Sequence, residues 1–173
     1  MSEAKSAFLP VIDDHTRLLV LGSLPGDASL KAGQYYAHPR NAFWALMGGV
    51  LDEDLAALSY EARLDRLRTR RVGLWDVIAS AARSGSLDAA IRSPEAADLR
   101  GLISRLPDLR AVAFNGGLAA RLGRKILAGL DDVVLIDLPS SSPAHARPLE
   151  EKRRSWSVLA PYPEPAPITG RAG

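Results

Sequence analysis

Residues 17–27 read RLLVLGSLPGD, a short apolar run closed by glycine and followed at once by a turn-forming segment. A buried strand leaves this signature: consecutive apolar side chains, then Gly and Pro where the chain must bend. Similar runs recur along the chain. RAVAFNG (110–116) and DVVLIDL (132–138) read as further buried strands. VGLWDVI (72–78) reads as a short buried strand or the start of a helix, with the strand preferred.

Helical segments lie between these runs. One extends from about Asn41 through Leu51, punctuated by Gly48 and Gly49. SYEARLDRLRTR (59–70) is amphipathic, with Ser59 as N-cap and Leu64 and Leu67 on one face. Ser93 and Pro94 open a helix expected to reach Leu106, because proline suits the first helical position. GLAARLGRKILAGL (117–130) forms the next helix, and a closing helix starts near Pro148 and carries EEKRRSW. Apolar strands alternating with helices predict an α/β fold, a parallel sheet covered on both faces. In such folds the ligand sits beyond the carboxyl ends of the strands. Four loops leave those ends: GSLPGD with YYAHPRN, the segment after LWDV, NGG, and PSSSPAHAR.

The chain of 173 residues suits one domain, expected over residues 1–160, with a mobile proline-rich tail from Pro161 to Gly173. There is no internal repeat. No apolar run approaches the roughly 20 residues that span a bilayer. The opening MSEAKSAFLPVIDD turns acidic after a single lysine, which predicts a cytoplasmic protein without membrane contact. With no cysteine, disulfides, thiolate nucleophiles and cysteine-ligated metal centres are excluded. His15, His38 and His145 are widely spaced and form no HExxH pattern, so neither a metal nor a cofactor is expected. The formal charge is only +2. Placement is more informative: Lys31, Arg40, Arg147, Lys152, Arg153 and Arg154 flank Gly- or Pro-marked loops, as a solvated surface or as a phosphate-facing rim.

The segment GQYYAHPRNAFW (33–44) concentrates aromatic and polar-edged side chains in a chain otherwise poor in aromatics. It is either an irregular wall of the core or the lining of a pocket for a flat polar ligand; its place at the functional edge favours the pocket. Trp44, Trp75 and Trp156 sit among apolar neighbours and read as core. GSLPG lacks the ending of a P-loop and the spacing of a nucleophile elbow. SSSPAHA (140–146) offers serines and His145 to a hydrolase, yet no carboxylate completes a triad by spacing. Asn115 is either a turn and helix cap or a carboxamide that reads a base edge.

In order and spacing, GSLPG, YYAHPRNAFW, FNG and LPSSSPAHA together resemble the uracil-DNA glycosylase superfamily, over roughly residues 17–160. The AHPxNxFW element is similar to the mismatch-specific uracil/thymine branch. GSLPG with YYAHPRNAFW and LPSSSPAHA looks most like the hypoxanthine-DNA (deoxyinosine) glycosylase branch. The resemblance implies a three-layer α/β/α fold with a short, mainly parallel four-stranded sheet. It implies monofunctional hydrolysis of a deaminated base from DNA, by a monomer without cofactor. Where most branches carry a polar residue in the first motif this chain has Leu24, and in the second motif Ser140. The resemblance therefore moves the catalytic role to Asn41. It places Tyr36 as the ring on which the flipped base stacks and Asn115 as the reader of its edge. Gly22, Ser23, Leu24 and Gly26 are expected to approach the base with their backbone, Gly26 leaving room for a purine. In the loop Ser140–Arg147, Pro143 and Ala144 are the wedge. Ser140, Ser141, Ser142, His145, Arg147 and the last helix N-terminus are placed on DNA. Uracil or G:U/G:T mismatch excision, and damaged-DNA binding without catalysis, are the rival readings.

Overall fold

The computed structural model describes residues 3–6, 8–83 and 91–166. Seven strands lie in that span: β1 (Glu3–Ser6), β2 (Leu18–Gly22), β3 (Val72–Asp76), β4 (Ile78–Arg83), β5 (Ile91–Ala96), β6 (Ala111–Asn115) and β7 (Val134–Leu138). Six α-helices accompany them: α1 (Asp27–Ala32), α2 (Phe43–Leu51), α3 (Tyr60–Thr69), α4 (Leu99–Ile103), α5 (Gly117–Ile126) and α6 (Leu149–Trp156).

The main sheet has the order β3-β2-β6-β7, and every pairing in it is parallel. Strand alternation sends side chains to two separate cores. Leu18 and Val20 of β2, with Ala111 and Ala113 of β6, join a cluster containing Phe43, Met47, Leu67 and Trp156. Leu19 and Leu21, with Val112 and Phe114, join a second cluster containing Leu99, Leu102, Ala119 and Leu127. Helices α2, α3 and α6 thus cover one face, α4 and α5 the other. This is the expected three-layer α/β/α arrangement. Both central strands are buried along their whole length, which is why they read as continuous apolar runs.

Several elements differ from the sequence reading. DVVLIDL is not a buried strand: β7 is the sheet edge, and Val134 is 49% exposed. The helix expected from Ser93 does not begin there. Residues 91–96 form β5, the edge of a small antiparallel sheet β1-β4-β5. Pro94 falls where the β4–β5 register shifts, a position that needs no ladder N–H. The helix starts instead after Asp98, whose carboxylate accepts the Gly101 N–H at 3.0 Å. Helix α1 was not expected, because its six residues show too little apolar periodicity. Ser59 caps α3 as expected, accepting the Ala62 N–H at 3.2 Å.

Nor does the chain leave the fold at Pro161. Tyr162 packs on the first core, and the Glu164 N–H donates to the Arg70 carbonyl at 2.8 Å. The Arg70 guanidinium returns a bond to the Glu164 carbonyl at 2.6 Å. The same buried side chain reaches the Leu51 carbonyl and the Glu53 carboxylate, both at 2.9 Å. The remainder of the proposed tail, 167–173, lies outside the described residues.

Gly123 tests how closely α5 packs on β6. A methyl group there would fall 2.2 Å from the Phe114 ring, which is fully buried. Alanine gains about 1 kcal/mol in helix propensity, whereas overpacking costs about 1–3 kcal/mol. With so short a contact the overlap dominates. Gly123→Ala should lower the urea midpoint at an unchanged m-value; a raised midpoint would mean that α5 can slide off the sheet.

Candidate active site

The paired carboxyl ends of the four parallel strands bring Gly22, Asp76, Asn115 and Leu138 to one edge of the sheet. The loops that follow them build the site. Gly22 and Ser23 turn their carbonyls toward the β3–β4 junction, accepting Val77 N–H at 2.9 Å and Ile78 N–H at 3.1 Å. Leu24 is 7% exposed and its side chain belongs to the second core. It closes the floor of the loop with hydrocarbon. Gly26 precedes α1 with φ −78° and ψ 176°, a conformation open to any residue. Its glycine is therefore not demanded by the backbone.

The segment 33–44 is both a core wall and a pocket lining. Tyr35, Phe43 and Trp44 are buried. Burial foremost, with the nearby Asp76 carboxylate, pushes the Tyr35 phenol far above its ordinary value. Its hydroxyl donates to the Leu9 carbonyl at 2.9 Å, and its N–H to the Tyr60 hydroxyl at 3.0 Å. Tyr36, by contrast, is half-buried and adopts φ 53°, a left-handed conformation that costs about 1–3 kcal/mol for a non-glycine residue. Bonds on both sides enforce it: Tyr35 as above, and Ala37, whose N–H donates to Ser29 Oγ at 3.1 Å. The Tyr36 ring then stacks on Phe43, centroids 3.9 Å apart and planes 17° apart. One face of Tyr36 is thereby closed, and a base can stack only on the other.

Asn41 stands two residues before Phe43. Its Oδ1 accepts the Phe43 N–H at 3.0 Å, so the carboxamide caps the start of α2. This bond also orients it. With oxygen directed to the backbone, Nδ2 points away and has no hydrogen-bond partner among the described residues. Capping and catalysis are therefore compatible, because one edge of the amide does each.

Asn115 is placed differently from either expectation. The cap position of α5 is Gly116, at φ 103°. The Asn115 carboxamide, 7% exposed, instead grips Ser141: its Nδ2 donates to Ser141 Oγ at 2.9 Å, and its Oδ1 accepts the Ser141 N–H at 2.8 Å. Ser141 is itself 1% exposed, so its hydroxyl is not offered to a phosphate. Its carbonyl accepts the Ala42 N–H at 3.0 Å, next to Asn41. Ser140 Oγ accepts the Ser142 N–H at 3.1 Å, and Ser142 Oγ the Ala144 N–H at 3.2 Å, which shapes the loop into successive tight turns.

Pro143, Ala144, Ala146 and Arg147 are exposed in this loop. His145 is half-buried. Burial first, then the Lys152 and Arg147 charges, hold its pKa below the usual range, so it is neutral at pH 7. Its Nε2 is buried without a partner among the described residues, and the charges that act on it, Lys152 and Arg147, are cations. With Ser140 and Ser142 hydroxyls engaged in turns, the hydrolase triad does not form. The first turn of α6 carries Glu150 and Glu151, which oppose a phosphate at that helix end and correct the expectation of one. Lys152 is 4% exposed and Arg153 is exposed but lies 3.5 Å from Glu150, so the exposed cations of the rim without an ion pair among the described residues are Lys31, Arg40, Arg147 and Arg154. Among the described residues no group of His, Asp or Glu comes together that could hold a metal.

Sequence reasoning missed Asp76. This carboxylate is 4% exposed at the register partner of Gly22. A Cβ on Gly22 would lie 2.7 Å from Asp76 Oδ1 and 3.2 Å from the Tyr36 hydroxyl. Glycine at 22 is thus required by what crowds over it. The signal was a charge inside the apolar run VGLWDVI.

A stacked aromatic platform, an oriented carboxamide and an exposed small-residue loop share one sheet edge. The model of the uracil DNA glycosylase superfamily matches residues 9–164. The chain belongs to the uracil DNA glycosylase superfamily. It is 39% identical over 154 residues to a hypoxanthine DNA glycosylase of Methanosarcina barkeri, covering 88% of this chain and 96% of that protein. It is 39% identical over 155 residues to a hypoxanthine DNA glycosylase of Methanosarcina acetivorans, covering 90% and 97%. A solution NMR structure of a candidate uracil DNA glycosylase from Methanosarcina acetivorans superimposes with a TM-score of 0.82 at 38% identity. It covers 91% of this chain and 97% of its own. No helix among the described residues of this DNA glycosylase is long and apolar enough to cross a membrane.

The Asn115–Ser141 grip generates a prediction about the glycosylase. Asn115→Ala leaves the buried Ser141 N–H without its acceptor, at a cost of about 1–3 kcal/mol in stability. Cleavage of every base the enzyme releases should fall by a common factor, because a loop anchor is lost and not a base contact. Rates measured on several lesions in parallel decide this. A loss confined to one base would return Asn115 to edge reading.

Proposed function

We propose that this glycosylase excises hypoxanthine from DNA, hydrolysing the N-glycosidic bond of deoxyinosine to leave an abasic site. The observation that carries the reading is the fixed orientation of Asn41, its Oδ1 held by the Phe43 N–H and its Nδ2 turned outward. The two relatives named as hypoxanthine DNA glycosylases support the choice of base.

A glycosylase must flip its nucleotide out of the helix, stack the base and stabilise charge as the bond breaks. Tyr36, backed by Phe43, supplies the stack, worth roughly 1–3 kcal/mol per base. As the C1′–N9 bond lengthens, the sugar becomes oxocarbenium-like and the purine gains negative charge. Hypoxanthine carries that charge better than adenine, because lactam and imidazole share it. Donors aimed at developing charge lower the barrier without reorganising. Nδ2 of Asn41 is such a donor, and the second lone pair of Oδ1 can accept from water. Water then adds at C1′, its proton leaves to solvent or base, and free hypoxanthine departs. Leu24 and Ser140 supply no base to deprotonate that water, so turnover is expected to be slower than in an aspartate-bearing enzyme. Gly26 leaves the space a purine needs.

Uracil excision is the second reading, favoured by the name of the solved neighbour. Matched duplexes carrying deoxyinosine, deoxyuridine, deoxyxanthosine or a G:T mismatch, followed by alkali cleavage, separate the two. Deoxyinosine should be cut fastest; a faster cut at deoxyuridine would reverse the assignment.

Removing a preorganised transition-state donor costs about 10²–10³ in rate. Asn41→Ala should lose at least that much in single-turnover cleavage of deoxyinosine, with a much smaller loss in binding. Loss of the helix cap lowers stability by about 1 kcal/mol, so the rate is read where the variant is folded. Wild-type cleavage by folded Asn41→Ala would leave Asn41 as a cap alone.

A further inference from the structure

In the sequence Lys152 belongs to a charged run, EEKRR, that reads as a solvated surface or a phosphate-facing rim. The structure turns it inward. Its ammonium donates to the Ser142 carbonyl at 3.2 Å, the same oxygen that accepts the His145 N–H at 3.0 Å. An ammonium taken out of water costs several kcal/mol and is a poor way to stabilise a fold. A methionine would fill the slot more cheaply. What the charge supplies here is placement of the 140–147 loop.

That loop is held at four points. Trp156 Nε1 donates to the Pro139 carbonyl at 2.9 Å. Asn115 grips Ser141, and Lys152 holds Ser142. The Ala42 N–H donates to the Ser141 carbonyl at 3.0 Å, one residue after Asn41. Two of the four contacts come from α6, one from the end of β6 and one from the Asn41 segment. Burial and the nearby Arg147 charge lower the Lys152 pKa, and Lys152 in turn helps lower that of His145, so these groups share one electrostatic neighbourhood.

We propose that Lys152 is a positioning residue: through Ser142 and Ser141 it holds the DNA-probing loop in register with Asn41, so that a loop seated on DNA sets the carboxamide at the glycosidic bond. This rests on the role given above to Asn41 and the loop. Lys152 then affects the chemical step without touching DNA.

The test compares Lys152→Met, which keeps length and packing, with Lys152→Gln, which keeps an N–H donor. Single-turnover release of hypoxanthine at saturating enzyme, melting temperature and the salt dependence of DNA binding are measured for each. Lys152→Met should melt within about 4 °C of wild type. Its rate should fall roughly 10- to 100-fold, the scale of a 1 Å misplacement. Lys152→Gln should recover part of that rate. The salt slope should stay at the wild-type value in both, whereas Arg147→Ala reduces it by about one phosphate contact. A wild-type rate in Lys152→Met overturns the proposal. So does a slope reduced by one with the rate kept, which makes Lys152 a phosphate ligand. Failure of both variants to fold assigns Lys152 to the core and also overturns it. If wild-type protein releases no base, the functional reading fails first and takes this one with it.

Discussion

Phe43 is where the fold and the site become one object. Its ring is fully buried, wedged edge-on between Trp44 and Trp156, with centroids 4.9 and 5.9 Å away. Its remaining face carries Tyr36, and its N–H holds Asn41. Platform and carboxamide are therefore both referred to one core residue. Rigid support is what such a site needs, since a donor helps only if it waits at the position where charge will develop. An apolar residue at the first turn of α2 achieves this, because its side chain and its amide serve different partners.

The polar half of the site is arranged on the same economy. Asn115 and Ser141 satisfy each other inside the fold, where an unpaired amide costs far more than a bond returns. Gly116, at φ 103°, lets Ser140 approach to 3.2 Å of where a side chain would begin. The exposed residues of the loop are then Pro143, Ala144, Ala146 and Arg147, three small apolar side chains and a cation. Buried members shape the loop and exposed members are left at its surface. Of the three serines read as DNA contacts, Ser141 is internal structure.

Charge follows a similar division. The net charge is small, and many arginines are spent on ion pairs away from the site, such as Arg17 with Glu164 and Arg71 with Asp13. What remains for phosphates is a short list near the functional edge. Two charged groups lie buried at that edge, Asp76 beneath the Tyr36 hydroxyl and Lys152 beneath the loop. Opposite in sign and on different elements, they lie beside the Tyr36 ring and the 140–147 loop respectively.

The order of strands and helices was legible because period and punctuation are local properties: 17–22, 110–116 and the run 59–70 behave as their side chains dictate. The motifs were also expected to gather at one sheet edge, and they do, since loops after parallel strands converge wherever the helices pack on both faces. Local pattern failed where partners decide. Val134 reads like Val112, yet one lies at an edge and the other at the centre of the sheet. Pro94 suits a helix start as well as a strand irregularity, and pairing with β4 chose the strand. Asn115, Ser141 and Lys152 were visible as polar residues near the site, but hydrogen-bond capacity does not reveal who will use it. Residues 10 to 99 positions apart in the chain meet there, and only tertiary packing, by excluding water from those pairs, made them structure instead of surface.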